Sequence, residues 1–437
     1  IWDVNGIFNM IRSKHKILGV VIILIINISI SQEIPNEFFE YKVEGFLNNS
    51  ENNWKNHTTL GSLRFQNSMY LNNSNLNDKQ DSLKKINMLL GFQTKNNDVS
   101  LYYYGKLLYK SNFYVYLYPR IVTNRDKFPR YTGKERKISR LGYSSGETDL
   151  SGMGYQNNWL LLQLGRGRQE WSAGKGISLA ISDDSPSYDY GLLGLDFGQI
   201  RYKYFHGFLE TDSIFTNRFI TAKGIEITNN SNLIFSFSEI VIYSGIHRGL
   251  AIPYLNPVSS HLEIELNDRS NNMGTGSGNA VWQLAFDSKI KKNMRFSLNI
   301  VIDEFILDSE EKNEDKTNGV AMSSKLVWIK NKPKNLMSIY ISYIHVGTHT
   351  FRHENGANNF VHRGLPLGTD LGSDMEKFSF GLNYYNKKNI IFEIETGVKN
   401  IGENTIINNP YDPYENYNVG PFPSGNVDVN QFIKIVF

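Results

Sequence analysis

From Phe296 to Asp303 the chain alternates: Phe296, Leu298, Ile300 and Ile302 share one parity, and Arg295, Ser297, Asn299 and Asp303 share the other. Side chains on a strand point to opposite faces in turn, so the run predicts a strand with one apolar and one polar face. The pattern recurs. Trp282, Leu284 and Phe286 oppose Gln283, Asp287 and Lys289; Phe378, Phe380, Leu382 and Tyr384 oppose Lys377, Ser379 and Asn383; Phe392, Ile394 and Val398 oppose Glu393, Glu395 and Lys399. Ile200, Tyr202, Tyr204 and Phe208 oppose Arg201 and Lys203. Clusters of Gly, Asn, Asp and Lys separate the runs, as turns require, giving about 15 segments of about 10 residues each.

A soluble sandwich also alternates. Segments near 10 residues instead match tilted transmembrane strands, whereas soluble strands average about 5–6. The final run places Val427, Val429, Ile433, Ile435 and Phe437 on one face and Asp428, Asn430 and Lys434 on the other, closing the chain with an aromatic as outer-membrane barrels do. The expected fold is all-β: an antiparallel transmembrane β-barrel of about 16–18 strands, even numbers being usual in bacterial barrels. Glu239 breaks the apolar parity of Leu233, Phe235 and Phe237, which predicts a bulge there or the end of the lipid zone.

Composition narrows the class. Aromatics reach 13 % while mean hydropathy is −0.37, a pairing foreign to disordered chains and to helical membrane proteins. There is no cysteine, which excludes a disulfide scaffold and a lipid-modified cysteine anchor. A net charge of +3 argues against a nucleic-acid partner. At the N-terminus, Arg12, Lys14 and Lys16 precede a nearly continuous aliphatic run from Ile17 to Ile30, and Ser29 and Ser31 stand before Gln32. That order predicts a secretory signal peptide; a membrane anchor is the alternative, for which the run is short. Residues 1–31 are therefore read as upstream residues plus a cleaved signal, and 32–437 as one barrel domain exported to the outer membrane of a Gram-negative bacterium.

Candidate chemistry is concentrated in two places. Arg120, Arg125, Lys127, Arg130, Lys134, Arg136, Lys137 and Arg140 stand against Asp126 and Glu135, with Tyr118, Phe128, Tyr131 and Tyr143 interleaved. A basic, aromatic loop suits acidic sugars, cations meeting carboxylates and rings meeting sugar faces. It equally suits lipopolysaccharide phosphates, or plain solvation. The second place is Gly165-Arg-Gly-Arg-Gln-Glu-Trp171, where Arg166, Arg168 and Trp171 stand at the exit of a strand. No Lys-Ser/Thr pair follows, so this is no phosphate loop; a structural ion-pair turn is the plain alternative to glycan binding. His345, His349 and His353 recur every fourth residue, but after a strand rather than on a helix, so no metal is expected. Neither a nucleophile elbow nor a separately placed carboxyl pair is visible, and neither an enzyme nor a cofactor is expected.

Several motifs in order over roughly residues 142–304 resemble the capsule assembly protein Wzi family, in the form found in Bacteroidetes-like bacteria. They are Gly165 to Trp171 with Gly174, Tyr188-Asp-Tyr190, Asp196-Phe-Gly198, Tyr204-Phe-His-Gly-Phe-Leu-Glu210 and Phe237-Ser-Glu239. Ile242-Tyr-Ser-Gly245, Arg248, Tyr254-Leu-Asn-Pro257, His261-Leu-Glu263 and Asn271-Asn272 follow, and Gly364-Leu-Pro-Leu-Gly368, Gly372 and Asp374 lie further on. The resemblance implies a barrel of about 18 strands that holds capsular polysaccharide at the cell surface as a lectin. Enteric members carry an N-terminal helical bundle; here Gly45, Asn48, Asn49, Gly61 and Asn67 disfavour helix. The expected function is non-enzymatic binding or retention of capsular or other surface polysaccharide. Expected partners are that glycan, outer-membrane lipid, lipopolysaccharide and the barrel assembly machinery. A passive porin-like channel is the alternative, and a barrel enzyme a more distant one.

Overall fold

A computed structural model describes residue 54, residues 57–61 and residues 84–436 apart from positions 96, 111, 129, 130, 132, 213, 268, 270–277, 305–318, 332–334, 371, 387–389 and 414–420. Arg130, Phe437 and the signal at 1–31 lie outside the described residues. Sixteen strands form one antiparallel sheet in sequence order. They are β1 (Lys84–Lys95), β2 (Asp98–Tyr109), β3 (Phe113–Val122), β4 (Ser145–Gln156), β5 (Leu160–Gly167), β6 (Tyr188–Asp196), β7 (Ile200–Thr211) and β8 (Thr216–Thr228). After β9 (Leu233–Ile246), β10 (Asn279–Lys291), β11 (Met294–Glu304), β12 (Gly319–Asn331) and β13 (Asn335–Val346), a small separate ladder pairs β14 (Val361–His362) with β15 (Leu365–Pro366). The main sheet ends with β16 (Met375–Asn386), β17 (Ile390–Ile401) and β18 (Asp428–Val436). Strands of mostly 9–14 residues and the strand count agree with the alternation read from the sequence.

Alternation sets the two faces. On β10 and β11, Gln283, Asp287, Arg295, Ser297 and Asn299 are buried inside, while Leu284, Phe286, Phe296, Leu298 and Ile300 take the outer parity in matching register. Phe378, Phe380 and Val398 are exposed outside, and Lys377 reaches Glu395 inside at 2.7 Å. On β18, Val429, Ile433 and Ile435 face outward, whereas Phe432 turns inward between Lys377 and Lys399.

The two rims differ. At one, every connection is short, such as 157–159, 197–199 and 229–232; at the other, long segments follow β3, β5, β9, β13 and β17. Short turns belong to the periplasmic rim of such barrels and long loops to the outer one. Lys84 and Val436 both lie at the rim of short connections.

The lumen is filled by the chain itself. Residues 168–187 leave β5 and cross to β10–β12: Gln283 donates to the Trp171 carbonyl at 2.7 Å, Asn299 Oδ1 accepts from the Ala173 N–H at 2.7 Å, and Ser323 donates to the Ile177 carbonyl at 2.6 Å. Residues 347–374 cross from β13, where Arg218 donates to the Asn359 carbonyl at 2.7 Å and Ser244 to Asn358 at 2.7 Å. The two segments meet, Ser182 N–H donating to the Leu367 carbonyl at 2.8 Å. Trp171, Ile177, Leu179, Ile181, Phe360 and Leu367 form their shared apolar core. Residues 57–61 lie against β7, β8, β10 and β11: Thr59 N–H donates to Glu226 at 2.6 Å, and His57 Nε2 lies 2.8 Å from Asp287.

Of the two expectations at Glu239, the bulge is absent. β9 keeps continuous register with both β8 and β10 through that position, so there is no bulge. Glu239 instead stands on the outer parity, 2.8 Å from Lys223, and both are roofed by residues 249–267. That segment, with short helices α1 (Ile252–Leu255) and α2 (His261–Leu266), lies on the outside of β7–β9.

Candidate functional site

The loop after β3 is pinned rather than loose, and this divides its residues in two. Its base continues the β3–β4 ladder, Ser144 N–H donating to the Val122 carbonyl at 3.0 Å and Arg136 N–H to the Ser144 carbonyl at 2.8 Å. Its tip is a tight turn in which Arg140 and Tyr143 exchange backbone bonds; Leu141 and Gly142 both have positive φ, the geometry of a primed hairpin turn and one natural to glycine. Phe128 and Tyr131 pack with Val122 underneath, and the Tyr131 hydroxyl meets Ser145 Oγ at 2.8 Å. Burial raises the Tyr131 pKa, keeping it a neutral phenol.

Of the cations on this stretch, Arg120 lies inside, 3.0 Å from Asp149 and over the rings of Tyr118 and Tyr131. Arg125, Lys127, Lys134, Arg136, Lys137 and Arg140 are exposed; Arg125 pairs with its neighbour Asp126. Among the described residues, the loop thus turns a row of cations outward at the rim of the long connections. Ile138 and Leu141 stand exposed among them.

Arg166, Arg168 and Trp171 take another role. Arg166 forks between Glu147 at 2.6 Å and Asp189 at 2.9 Å, its Nε donating to the Thr148 carbonyl. Arg168 bonds Asp149 at 2.6 Å and the Ser185 carbonyl at 2.6 Å, so Asp149 is shared by two guanidiniums. Trp171 is fully buried, edge-on to Phe205 at 5.4 Å. Their planar forks are taken up by protein oxygens, in the geometry that makes Arg the residue for such sites. The network continues to the crossing segment: Arg363 bonds Glu147 at 2.7 Å, while Glu210 accepts from Arg218 at 2.8 Å and from the Tyr411 hydroxyl at 2.7 Å. Burial, with this bond to Glu210, pushes the Tyr411 pKa up to about 12.

Sequence reasoning placed the cations but not their partners Glu147, Asp149, Asp189 and Glu210. Parity was the available signal: Tyr114, Tyr116, Tyr118 and Arg120 share one face of β3, and that face is the lumen. His345 lies against Phe422 and His353 Nδ1 accepts from Asn355 N–H at 2.9 Å. Among the described residues no three His, Cys, Asp or Glu side chains converge on a metal position.

No protein-family profile matches the chain, and no curated protein does. Among solved structures it is similar to Wzi of Escherichia coli, an outer-membrane protein involved in group 1 capsule assembly and described as a carbohydrate-binding β-barrel. The TM-score is 0.53 at 12 % identity, covering 74 % of this chain and 71 % of that one. The fold is a Wzi-like outer-membrane β-barrel. OmpT of Vibrio cholerae (a form lacking loop L8) matches at TM-score 0.38 and 9 % identity, covering 72 % of this chain and 94 % of its own. The outer-membrane channel DcaP of Acinetobacter baumannii matches at 0.36 and 8 %, covering 74 % and 93 %.

Proposed function

We propose that this barrel sits in the outer membrane of a Gram-negative bacterium and retains an acidic surface polysaccharide, of the capsular type, without chemical turnover. The observation that supports this most is the division of the 122–145 loop. Arg120, on the strand that leads into it, is matched inside by Asp149, while Lys127, Lys134, Arg136, Lys137 and Arg140 stand exposed on a pinned hairpin at the outer rim. Fixed cations on a rigid support bind a polyanion at low ordering cost. The filled lumen fits a binder better than a channel, and the likeness to a carbohydrate-binding barrel points the same way. In this reading Arg166, Arg168 and Trp171 hold the wall, and Arg125, Lys127, Arg130, Lys134 and Arg136 belong to the binding side. Lipopolysaccharide phosphates are a second anion for the same loop, and delivery runs through the signal peptide and the barrel assembly machinery.

The test is binding of the purified barrel to acidic and neutral polysaccharides, with conductance measured in planar bilayers. Acidic glycan should bind, and replacing Lys134, Arg136 and Lys137 together by Ala should weaken binding. That effect should shrink with salt, since exposed charges are screened within about 8 Å at physiological ionic strength. Unchanged binding after the triple replacement removes the loop from the mechanism; steady conductance with no glycan binding makes the protein a channel.

A further inference from the structure

The long connection after β9 departs from the crossing segments. Those fold inward, but residues 249–267 fold over the outer wall, where the strand residues they pack on, Tyr202, Tyr204, Phe219, Lys223, Glu239, Val241 and Tyr243, have lipid-side parity. Tyr254 stacks on Tyr243 at 4.6 Å, and Ile264, Val241 and Phe219 complete a small apolar cluster.

Two independent features set its surroundings. The first is its backbone. Residues 251–260 are largely irregular; the segment satisfies part of its own backbone, Ser259 N–H donating to the Asn256 carbonyl and Val258 N–H to the Asn256 side chain, and the wall supplies further bonds. Tyr204 donates to the Tyr254 carbonyl at 2.9 Å, Tyr202 to the Pro257 carbonyl and Lys223 to the Ser259 carbonyl. Glu239 accepts the His261 N–H at 3.0 Å and the Tyr243 hydroxyl the Ala251 N–H at 3.2 Å. In water solvent does this work. In hydrocarbon, non-helical backbone persists only when protein groups satisfy it. The second feature is the face turned away from the wall. Ile252 is 78 % exposed, Val258 80 % and Leu266 75 %, with Leu255 and Leu262 beside them. This apolar face continues directly into the exposed outer band of the same strands, Phe235, Phe237, Ile225 and Ile227. Glu263 and Arg269 pair at one end, as polar groups do at a headgroup boundary.

We infer that residues 249–267 form a flap lying within the outer leaflet, its Ile252, Leu255, Val258, Leu262 and Leu266 against lipid acyl chains and its underside sealing the Lys223–Glu239 pair. This goes beyond the glycan reading and shares with it only the barrel's place in a membrane.

The chain has no cysteine, so single-cysteine variants carry one spin label each. Val258→Cys, Phe237→Cys and Lys137→Cys, each checked as heat-modifiable folded barrel, are reconstituted in dioleoylphosphatidylcholine vesicles. Collision with oxygen and with a water-soluble nickel chelate is then measured. The label at 258 should behave like that at 237, open to oxygen and closed to nickel, and unlike that at 137. Nickel access at 258 with exclusion at 237 overturns the flap alone; nickel access at 237 overturns the membrane placement itself. A label at 258 closed to both reagents and broadened by a neighbouring label makes a second copy the occupant, and also overturns the proposal.

Discussion

Strand β8 carries two charges three residues apart that meet opposite fates. Glu226 points inward, pairs with Arg201 at 2.7 Å and is roofed by residues 57–61; Lys223 points outward, pairs with Glu239 at 2.8 Å and is roofed by residues 249–267. The inner pair is fully buried and the outer one nearly so, and both roofs come from the same chain. The difference lies in what each roof joins. The inner one joins a packed lumen in which Glu226 also accepts from the Thr58 and Thr59 hydroxyls, each at 2.9 Å. The outer one has a single layer of chain between the charge and the surroundings. A charge on the lipid side is therefore compatible with a barrel when the chain provides its own cover. Alternation alone does not decide which charges face lipid.

The inner pair should be the harder to break. Removing one partner of a buried pair leaves the other charge poorly compensated, at a cost of about 3–5 kcal/mol. Glu226→Ala should lose stability of that order in urea unfolding of the lipid-reconstituted barrel, and should release residues 57–61 to proteolysis. A cost below about 1 kcal/mol, the level of an exposed pair, would make the inner roof a passive lid.

Lys223→Met should cost less. Glu239 keeps the His261 N–H and the Trp282 indole at 3.3 Å, so the loss is that of an under-satisfied buried group, about 1–3 kcal/mol. A Lys223→Met, Glu239→Gln double variant should recover part of it, because an amide still accepts from His261 without an unmatched charge. Double-variant stability equal to the sum of the two single losses would show that the two side chains do not interact.

These two sites also mark how far the sequence could be read. Alternation identified strands, placed Arg295, Lys289, Asp303, Glu395 and Lys399 inside, and put Phe380 and Ile300 outside, because one wet and one apolar face impose a period of two. At Glu239 it marked a break in the apolar face but not its cause, because the roof comes from residues 249–267 and a local pattern carries no record of what covers it. The same limit hid the filling of the lumen. Gly165 to Trp171 read as a turn of ion pairs or a glycan site, and Arg166 and Arg168 do form ion pairs; the segment that follows buries Ile177, Leu179 and Ile181, but their short alternation does not tell a crossing segment from a wall strand. On the basic stretch, charge was legible and its partners were not: parity sets Arg120 on the lumen face of β3, but Asp149, which matches it, lies across a ladder.

Arg168→Lys sharpens the inner side further. Lys offers a point charge where Arg bonds both Asp149 and the Ser185 carbonyl. The loss of one buried hydrogen bond should cost about 1 kcal/mol. Melting of the barrel should fall while the glycan affinity of folded protein stays constant; lost affinity without lost stability would move Arg168 into the binding site.

The smallest effect concerns the inner roof and pH. Burial lowers the His57 pKa below its ordinary 6.5, the Arg295 guanidinium adds to this, and Asp287 and Glu226 oppose it. With the segment seated, the imidazole therefore stays neutral where a released segment would already be protonated. Between the lowered value and 6.5 the released form holds more protons, so seating weakens as pH falls through that window and is unchanged above it. Hydrogen exchange at the Thr59 and Leu60 amides, corrected for intrinsic rates, should quicken from pH 7.5 to pH 5.5 and stay level in His57→Gln. Level exchange in the unaltered protein would mean that Asp287 fully offsets burial and that the inner roof holds regardless of proton concentration.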